Sequence, residues 1–318
     1  MQEQTRPIYA FDLHTHTTTS DGKLSWKELL AYAKQCGLEG IAITDHNTVG
    51  PITEIAAEAK RIDIEYIPGT EIKTSCAQQI ADWKITGRKL IPTQELIIYG
   101  INPNNAEFAE MSLRHLQGKA EYVRRLCEVA NSRRTSDISD ITFNEPITLD
   151  STAIIASGGN YVGAANVVDA LLKEYQQRAP GLGKNQIKEF LDKCRTQIAD
   201  VLAKDPFYSL DVVEAVTKAK TWGKLVFLAH PFTKSRAEMG EFYVKNLIPQ
   251  LVQNGLDGVE SCYPEHTPEQ IRFLDAISRK YGLIQTGGSD FHSEKNETLG
   301  NYGVTPSIFR FVKRLSDR

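Results

Sequence analysis

The chain has 318 residues, 41% of them hydrophobic and 24% charged, with 37 Lys+Arg against 40 Asp+Glu and a formal net charge of −3. That balance fits a soluble globular chain of one large domain or two modest ones and excludes fibrous and disordered classes. Apolar runs fall short of the roughly 20 residues that span a bilayer, and there is no basic excess to displace counterions from long nucleic acid.

In chain order, short apolar runs rich in β-branched residues stand at Ile8–Leu13, Gly40–Thr44, Tyr66–Gly69, Leu96–Tyr99, Leu225–Ala229, Gly258–Glu260 and Leu283–Thr286. Their continuous apolar character predicts buried parallel strands. Helical patterns separate them. Ser25-Trp26-Lys27-Glu28 is a capping box whose helix stops at Gly37, Pro51 opens the next, and Asp211 to Gly223 has apolar residues at helical spacing. Thr267-Pro268-Glu269-Gln270 is a second capping box with Pro at the first helical position. Ser307–Leu315 predicts a short terminal helix, apolar at Ile308, Phe311, Val312 and Leu315. Alternating strands and helices indicate a parallel α/β architecture, and seven such runs an incomplete or distorted barrel built from residues 8–104 and 211–318. Between 105 and 210 the alternation gives way to helical patterns at Met111–Ala130, Gly163–Tyr175 and Asn185–Ala203, split by polar connectors. This reads as a mainly helical insertion covering the active-site face.

The five cysteines are far apart and form no CxxC pair, so they read as reduced thiols. The N-terminal MQEQTRPIYAFDLH lacks a signal peptide's basic-then-apolar layout, which predicts a cytoplasmic protein.

Histidines carry the functional signal. Of seven, six (His14, His16, His46, His230, His266, His292) follow the end of a predicted strand, and His115 lies within a helical pattern as a structural or surface residue. In α/β barrels the C-terminal strand ends open on one face, where sites are assembled. Residues two apart on a strand point the same way, so His14 and His16 can grip one ion, and Asp290 and His292 repeat that spacing. Thr44-Asp45-His46, Gly69-Thr70-Glu71 and Ala229-His230-Pro231 each end a strand on a potential ligand. One such residue means little, but five strand ends carrying His, Asp or Glu would bury polar groups at high cost without a metal ion.

Asp12-Leu13-His14-Thr15-His16, Ser20-Asp21-Gly22, Thr44-Asp45-His46-Asn47-Thr48, Gly69-Thr70-Glu71, Ala229-His230-Pro231 and Gly288-Ser289-Asp290-Phe291-His292 together resemble the PHP (polymerase and histidinol phosphatase) family, in its stand-alone metal-dependent phosphoesterase branch. The resemblance implies a distorted (β/α)7 barrel with two or three divalent ions held by His14, His16, Asp21, His46, Glu71, His230, Asp290 and His292, with Glu71 as a bridging carboxylate. It places His266 near the scissile group, as proton donor or substrate contact, and Asp290 among the catalytic residues. Two departures stand out. Glu95 occupies the position where relatives carry a ligating His, and Gly163-Ala164-Ala165-Asn166 replaces their Gly-Arg-Pro-His phosphate clamp. Asn166, Lys234 and Arg236, with Arg88 or Lys89, are the candidates to hold phosphate instead.

The expected activity is hydrolysis of a phosphate monoester of a small sugar or nucleotide by a metal-bridging hydroxide. The resemblance implies a nucleoside 3′,5′-bisphosphate or a short oligonucleotide as candidate substrates. The mixed donors suit Mn²⁺, Fe²⁺ or Zn²⁺ better than Mg²⁺. Two alternatives remain open: hydrolysis of a non-phosphate bond, and a catalytically degenerate member that binds a phosphorylated ligand.

Overall fold

The computed structural model describes residues 8–86, 93–133, 167–168, 184–202, 204–233, 239–294 and 299–318. The chain divides into two compact units, Met1–Met111 with Phe207–Arg318, and Ser112–Pro206.

The first unit is a seven-stranded sheet in sequence order: β1 (Phe11–Asp12), β2 (Gly40–Ile43), β3 (Glu65–Ser75), β4 (Thr93–Tyr99), β5 (Leu225–Leu228), β6 (Gly258–Cys262) and β7 (Ile284–Gly287). Leu13 N donates to Gly287 O (3.3 Å) and His16 N to Phe291 O (2.9 Å), drawing the first strand beside the end of the last and nearly closing the barrel. All seven predicted strands are present, with one correction. β4 runs antiparallel to both neighbours, where a parallel strand was expected. β3 runs on for 11 residues, and among the described residues between it and β4 the helix is the short Ala77–Asp82, not a full crossover helix. The reversal brings the start of β4, not its end, level with the site.

Both faces of the sheet are buried, which explains the continuous apolar runs. Phe11, Leu13, Ala42, Ile67, Ile97, Tyr99 and Phe227 pack together on one face with the terminal helix Pro306–Ser316. Their sequence neighbours Leu96, Ile98, Val226 and Leu228 pack on the other face with residues of the helices Val212–Trp222 and Gly240–Gln253. Within the terminal helix Phe309 is buried, with Val312, while Phe311 is 39% exposed beneath Arg314, reversing the expectation for Phe311. The cause is local: the Phe309 ring lies 4.4 Å from that of Phe11, over Gly40, where a Cβ would come within 2.6 Å of the Phe309 ring.

The capping boxes Ser25–Glu28 and Thr267–Gln270 form as expected, opening the helices Trp26–Cys36 and Pro268–Tyr281. Pro51 is the N-cap of Ile52–Arg61.

The second unit is helical where described. The helix Ala106–Arg133 carries the chain into it, and Lys184–Arg195 and Ala199–Leu202 follow. Val123, Leu126, Ala130, Ile187, Leu191 and Ile198 are buried. His115 is fully buried here, its Nδ1 2.6 Å from Asp205 Oδ2, and so is structural rather than superficial. The predicted helix Gly163–Tyr175 lies outside the described residues, apart from helical Val167 and Val168. Among the described residues no helix is long and apolar enough to cross a membrane, and all five cysteines are free.

Candidate metal centre

Each barrel segment delivers one or two polar side chains to a common cluster. His14 and His16 follow β1, His46 follows β2, His230 follows β5, and Asp290 and His292 follow β7. Glu71 lies inside the long β3 rather than at its end, and Glu95 near the start of the reversed β4.

Glu71 occupies the middle, fully buried. Its Oε1 accepts from His230 Nε2 at 2.8 Å, while its Oε2 lies 2.9 Å from His46 Nδ1, 3.4 Å from His14 Nε2 and 3.5 Å from His16 Nε2. Asp290 Oδ1 faces His16 Nε2 at 3.0 Å and His14 Nε2 at 3.3 Å. Asp21 sits between His292 Nε2 (3.2 Å) and His46 Nε2 (3.6 Å). Among the described residues four donor groups result, each with ligand atoms within 4.8 Å of one another: His16, Asp21, His46 and His292; His14, His16, Glu71 and Asp290; Glu71, Glu95 and His230; and His14, His230 and Glu260. His16 and Glu71 are shared between groups.

This donor set fits divalent ions. Glu71 Oε2 and Asp290 Oδ1 are buried among imidazole nitrogens, yet neither completes a well-formed hydrogen bond. His14 Nε2 and His16 Nε2 face each other at 3.1 Å, and His14 Nδ1 is already committed to Glu260. Burying so many acceptors without a cation is unfavourable.

Protonation partly meets that need. Burial opposes ionisation of Asp21, Glu71 and Asp290, but the surrounding imidazoles outweigh it and hold all three well below the usual carboxylate range. Burial likewise lowers the imidazoles, and carboxylates reverse it. His46 is raised to about 9 by Asp21 and Glu71, with Lys73 working against them, and His292 to about 10 by Asp21 and Asp290. His14 is raised well above its ordinary value by Glu260, Asp290 and Glu71, and His230 is raised by Glu71 and Glu95. His16 is lowered, by burial and then by its imidazole neighbours His292 and His46.

A buried set of partners fixes the donors in place. Glu260, 1% exposed, holds His14 Nδ1 with both oxygens (3.0 and 3.2 Å) and accepts from His230 N at 3.1 Å. With Nδ1–H donated to a carboxylate, Nε2 of the neutral His14 keeps its lone pair toward the cluster. Asp45 accepts from Thr17 N, Thr17 Oγ1 and Ser20 Oγ at 2.7–2.8 Å, shaping the turn that presents Asp21. Asp12, raised to about 6 by burial against several hydrogen bonds, accepts from His14 N and Ser289 N and so ties the first loop to the last. Gly288 permits that approach, since a Cβ there would meet His14 Cβ at 2.4 Å. Asp290 has φ of +53°, a costly conformation for a residue with a side chain, and Tyr263 OH holds its Oδ2 at 2.8 Å.

The sequence reading did not assign Glu260 to the site, although an acidic residue ending a predicted strand is the signal that marked Glu71. Glu260→Gln is expected to weaken metal affinity about 10- to 100-fold with the barrel intact. Calorimetric titration with Mn²⁺ checks this, and unchanged affinity would remove Glu260 from the centre.

His266 stands apart from the donors. Its Nδ1 donates to Ser261 O (2.9 Å), its Nε2 accepts from Phe232 N (3.3 Å), and burial lowers its pKa. Both nitrogens of a neutral imidazole are therefore committed to backbone, tying the segment after β5 to that after β6. The resemblance offered His266 as proton donor or substrate contact; here its two ring nitrogens meet Ser261 O and Phe232 N. Asn166, Lys234, Arg236, Arg88 and Lys89 lie outside the described residues.

Comparison with known proteins agrees with the geometry. A phosphoribosyl 1,2-cyclic phosphate 1,2-diphosphodiesterase of Eggerthella lenta is 24% identical over 298 residues, 93% of this chain and 97% of that protein. A 3′,5′-nucleoside bisphosphate phosphatase of Chromobacterium violaceum is 25% identical over 312 residues, 95% of each chain. In fold, the chain matches a crystal structure from Bifidobacterium adolescentis ascribed to the metal-dependent phosphoesterases, with a TM-score of 0.69, 24% identity and coverage of 97% of this chain and 96% of that one. Sheet and donor set together define a seven-stranded barrel protein with candidate sites for divalent metal ions. Residues 12–193 match the model of the PHP domain, and the chain belongs to that family.

Proposed function

We propose that the chain hydrolyses a phosphate monoester on a small nucleotide or sugar, with a nucleoside 3′,5′-bisphosphate as the first candidate substrate. The observation that carries this reading is the buried Glu71 carboxylate ringed by His14, His16, His46 and His230, with ionised Asp21 and Asp290 on either flank. In this reading His16, Asp21, His46 and His292 hold one divalent ion and His14, His16, Glu71 and Asp290 a second. Glu71, Glu95 and His230 form the place for a third. Mixed imidazole and carboxylate donors favour Mn²⁺, Fe²⁺ or Zn²⁺. Such ions, when bound, make water nucleophilic at neutral pH and offset the charge of phosphoryl oxygens. The chain's own part is positional. Glu260 aims His14, Asp45 sets the Asp21 turn, and Tyr263 holds one oxygen of Asp290 so that the other faces inward. His266 maintains the loops, and the proton for the leaving group comes from elsewhere, water included.

The test is metal analysis of the purified protein paired with a phosphate-release screen over nucleoside 3′,5′-bisphosphates, mononucleotides, short oligonucleotides and sugar phosphates. We expect at least two ions per chain and release that His14→Ala abolishes. A fully loaded protein that frees phosphate from none of these esters would overturn the reading.

A further inference from the structure

Glu71 stands where β3 has outrun one of its neighbours. β2 ends at Ile43, whose partner is Pro68, whereas β3 continues along β4 as far as Ser75. Past the end of β2 the segment from Thr44 to Asn47 keeps hold of β3 by separate bonds. Glu71 N donates to Thr44 O at 3.1 Å and Asp45 O at 3.2 Å, His46 and Glu71 form an isolated parallel bridge, and Asn47 N donates back to Glu71 O at 2.8 Å. Asn47 then leaves the strand direction with φ of +54°, a left-handed conformation that Asn tolerates better than most residues with a side chain. Its side chain stays behind: 2% exposed, Asn47 accepts at Oδ1 from the backbone N of Lys73 at 2.9 Å. The side-chain oxygen thus takes an amide that a longer β2 would meet with a carbonyl.

We infer that Asn47 is a positioning residue of the metal centre: through Glu71 O and the Lys73 amide it fixes the stretch that carries the Glu71 carboxylate and sets it against His46 for the binding of divalent ions. This rests on the metal-binding part of the reading above. The bonds brace Glu71 on both sides of its Cα, its own amide on Thr44 O before it, its carbonyl and the Lys73 amide after it. The same segment supplies His46, whose Nδ1 is 2.9 Å from Glu71 Oε2, so one turn sets both a ligand and its distance from the central carboxylate. Without Oδ1 the Lys73 amide loses its acceptor, and the strand has to move to regain one from a neighbour or from water. A small displacement matters here, because ligand distances in a metal site are held to about 0.2 Å. Glu71 faces imidazoles with both oxygens, so a shift of its backbone alters several of those distances together.

The experiment titrates Mn²⁺ calorimetrically into full-length variants whose circular dichroism matches that of the wild type. Asn47→Gly keeps the left-handed backbone without steric cost and the amide on Glu71 O, and deletes the side-chain acceptor. It should bind Mn²⁺ about tenfold more weakly, the lower end of the effect of losing a group that orients metal ligands. Asn47→Ala deletes the same acceptor without glycine's added freedom and should weaken binding at least as much. Asn47→Asp keeps an oxygen in the same place on a residue that also enters the left-handed region, and should return affinity to within about threefold of wild type. A merely structural residue would lower stability without this pattern of loss and rescue. Wild-type affinity in Asn47→Gly would overturn the inference, and so would an Asn47→Asp protein as weak as Asn47→Gly. If neither deletion variant folds, Asn47 is an ordinary structural residue and the inference falls as well. None of these readouts depends on turnover. The expected series in a protein that hydrolyses no ester would sink the phosphoesterase reading and leave this one standing, and wild-type affinity in an Asn47→Gly protein that still frees phosphate would do the reverse.

Discussion

Glu71→Gln should lose at least one of the bound ions and lower phosphate release by a factor on the order of 10³ or more, the scale seen when a group that acts directly at the reacting centre is removed. The substitution keeps the shape of the side chain and deletes its charge at the point where the second and third donor groups meet. Four imidazoles look to that one carboxylate, at 2.8–3.5 Å. A neutral amide cannot repay the burial of a dication, and its NH₂ would face at least one imidazole nitrogen as a competing donor. The strands rest on their own ladder and on apolar packing, so the barrel should persist. An independent readout separates loss of charge from loss of fold. In the metal-free variant the His46 imidazole, raised to about 9 in the wild type with Glu71 among the causes, should titrate closer to its ordinary value by NMR. Two retained ions with activity within tenfold of wild type would remove Glu71 from the centre.

The legible part of this protein was the part dictated by periodicity and by residue type at strand ends. All seven strands and both capping boxes follow from local rules, and so does the convergence of His14, His16, His46, His230 and His292, since strand ends of a barrel must open on one face. What was not legible depends on pairing across the chain. The direction of β4 is set by the connection before it, and an apolar run such as Leu96–Tyr99 reads the same in either direction. Glu260 and Asn47 matter through partners that lie 246 and 26 residues away, His14 and Lys73. Composition and spacing do not reveal a hydrogen bond of that kind. His266 is conspicuous in sequence, but its backbone partners Ser261 O and Phe232 N are as invisible there as the partners of Glu260. Phe311 was placed on the apolar face, and Phe309 went unremarked, because a short amphipathic helix leaves its exact facing to the neighbour it meets, here Phe11 over Gly40.

The array of imidazoles and carboxylates also fixes how the centre answers to pH. In the metal-free protein His46 and His292, at about 9 and about 10, both carry protons at pH 7, as does His14, whose pKa is raised well above its ordinary value. Metal ions bind the deprotonated imidazole, so loading must release protons. Apparent affinity for Mn²⁺ should therefore rise between pH 6 and 8, by about tenfold per pH unit for each proton displaced. Stability of the metal-free form runs the other way. Groups whose folded pKa is raised contribute fully below their unfolded value near 6.5 and lose that contribution as pH climbs through about 9 to 10. The depressed carboxylates Asp21, Glu71 and Asp290 contribute above their unfolded values near 4 and lose it as pH falls toward their folded ones. The metal-free protein is thus best stabilised by this cluster between those limits, and the gain in melting temperature on adding Mn²⁺ should widen as pH rises from 6 to 8. Calorimetry in buffers of different ionisation enthalpy measures the protons directly, with about two or more expected per loaded chain at pH 7. Loading that releases none would mean that the imidazoles are already neutral and that the carboxylates do not hold protons on the centre.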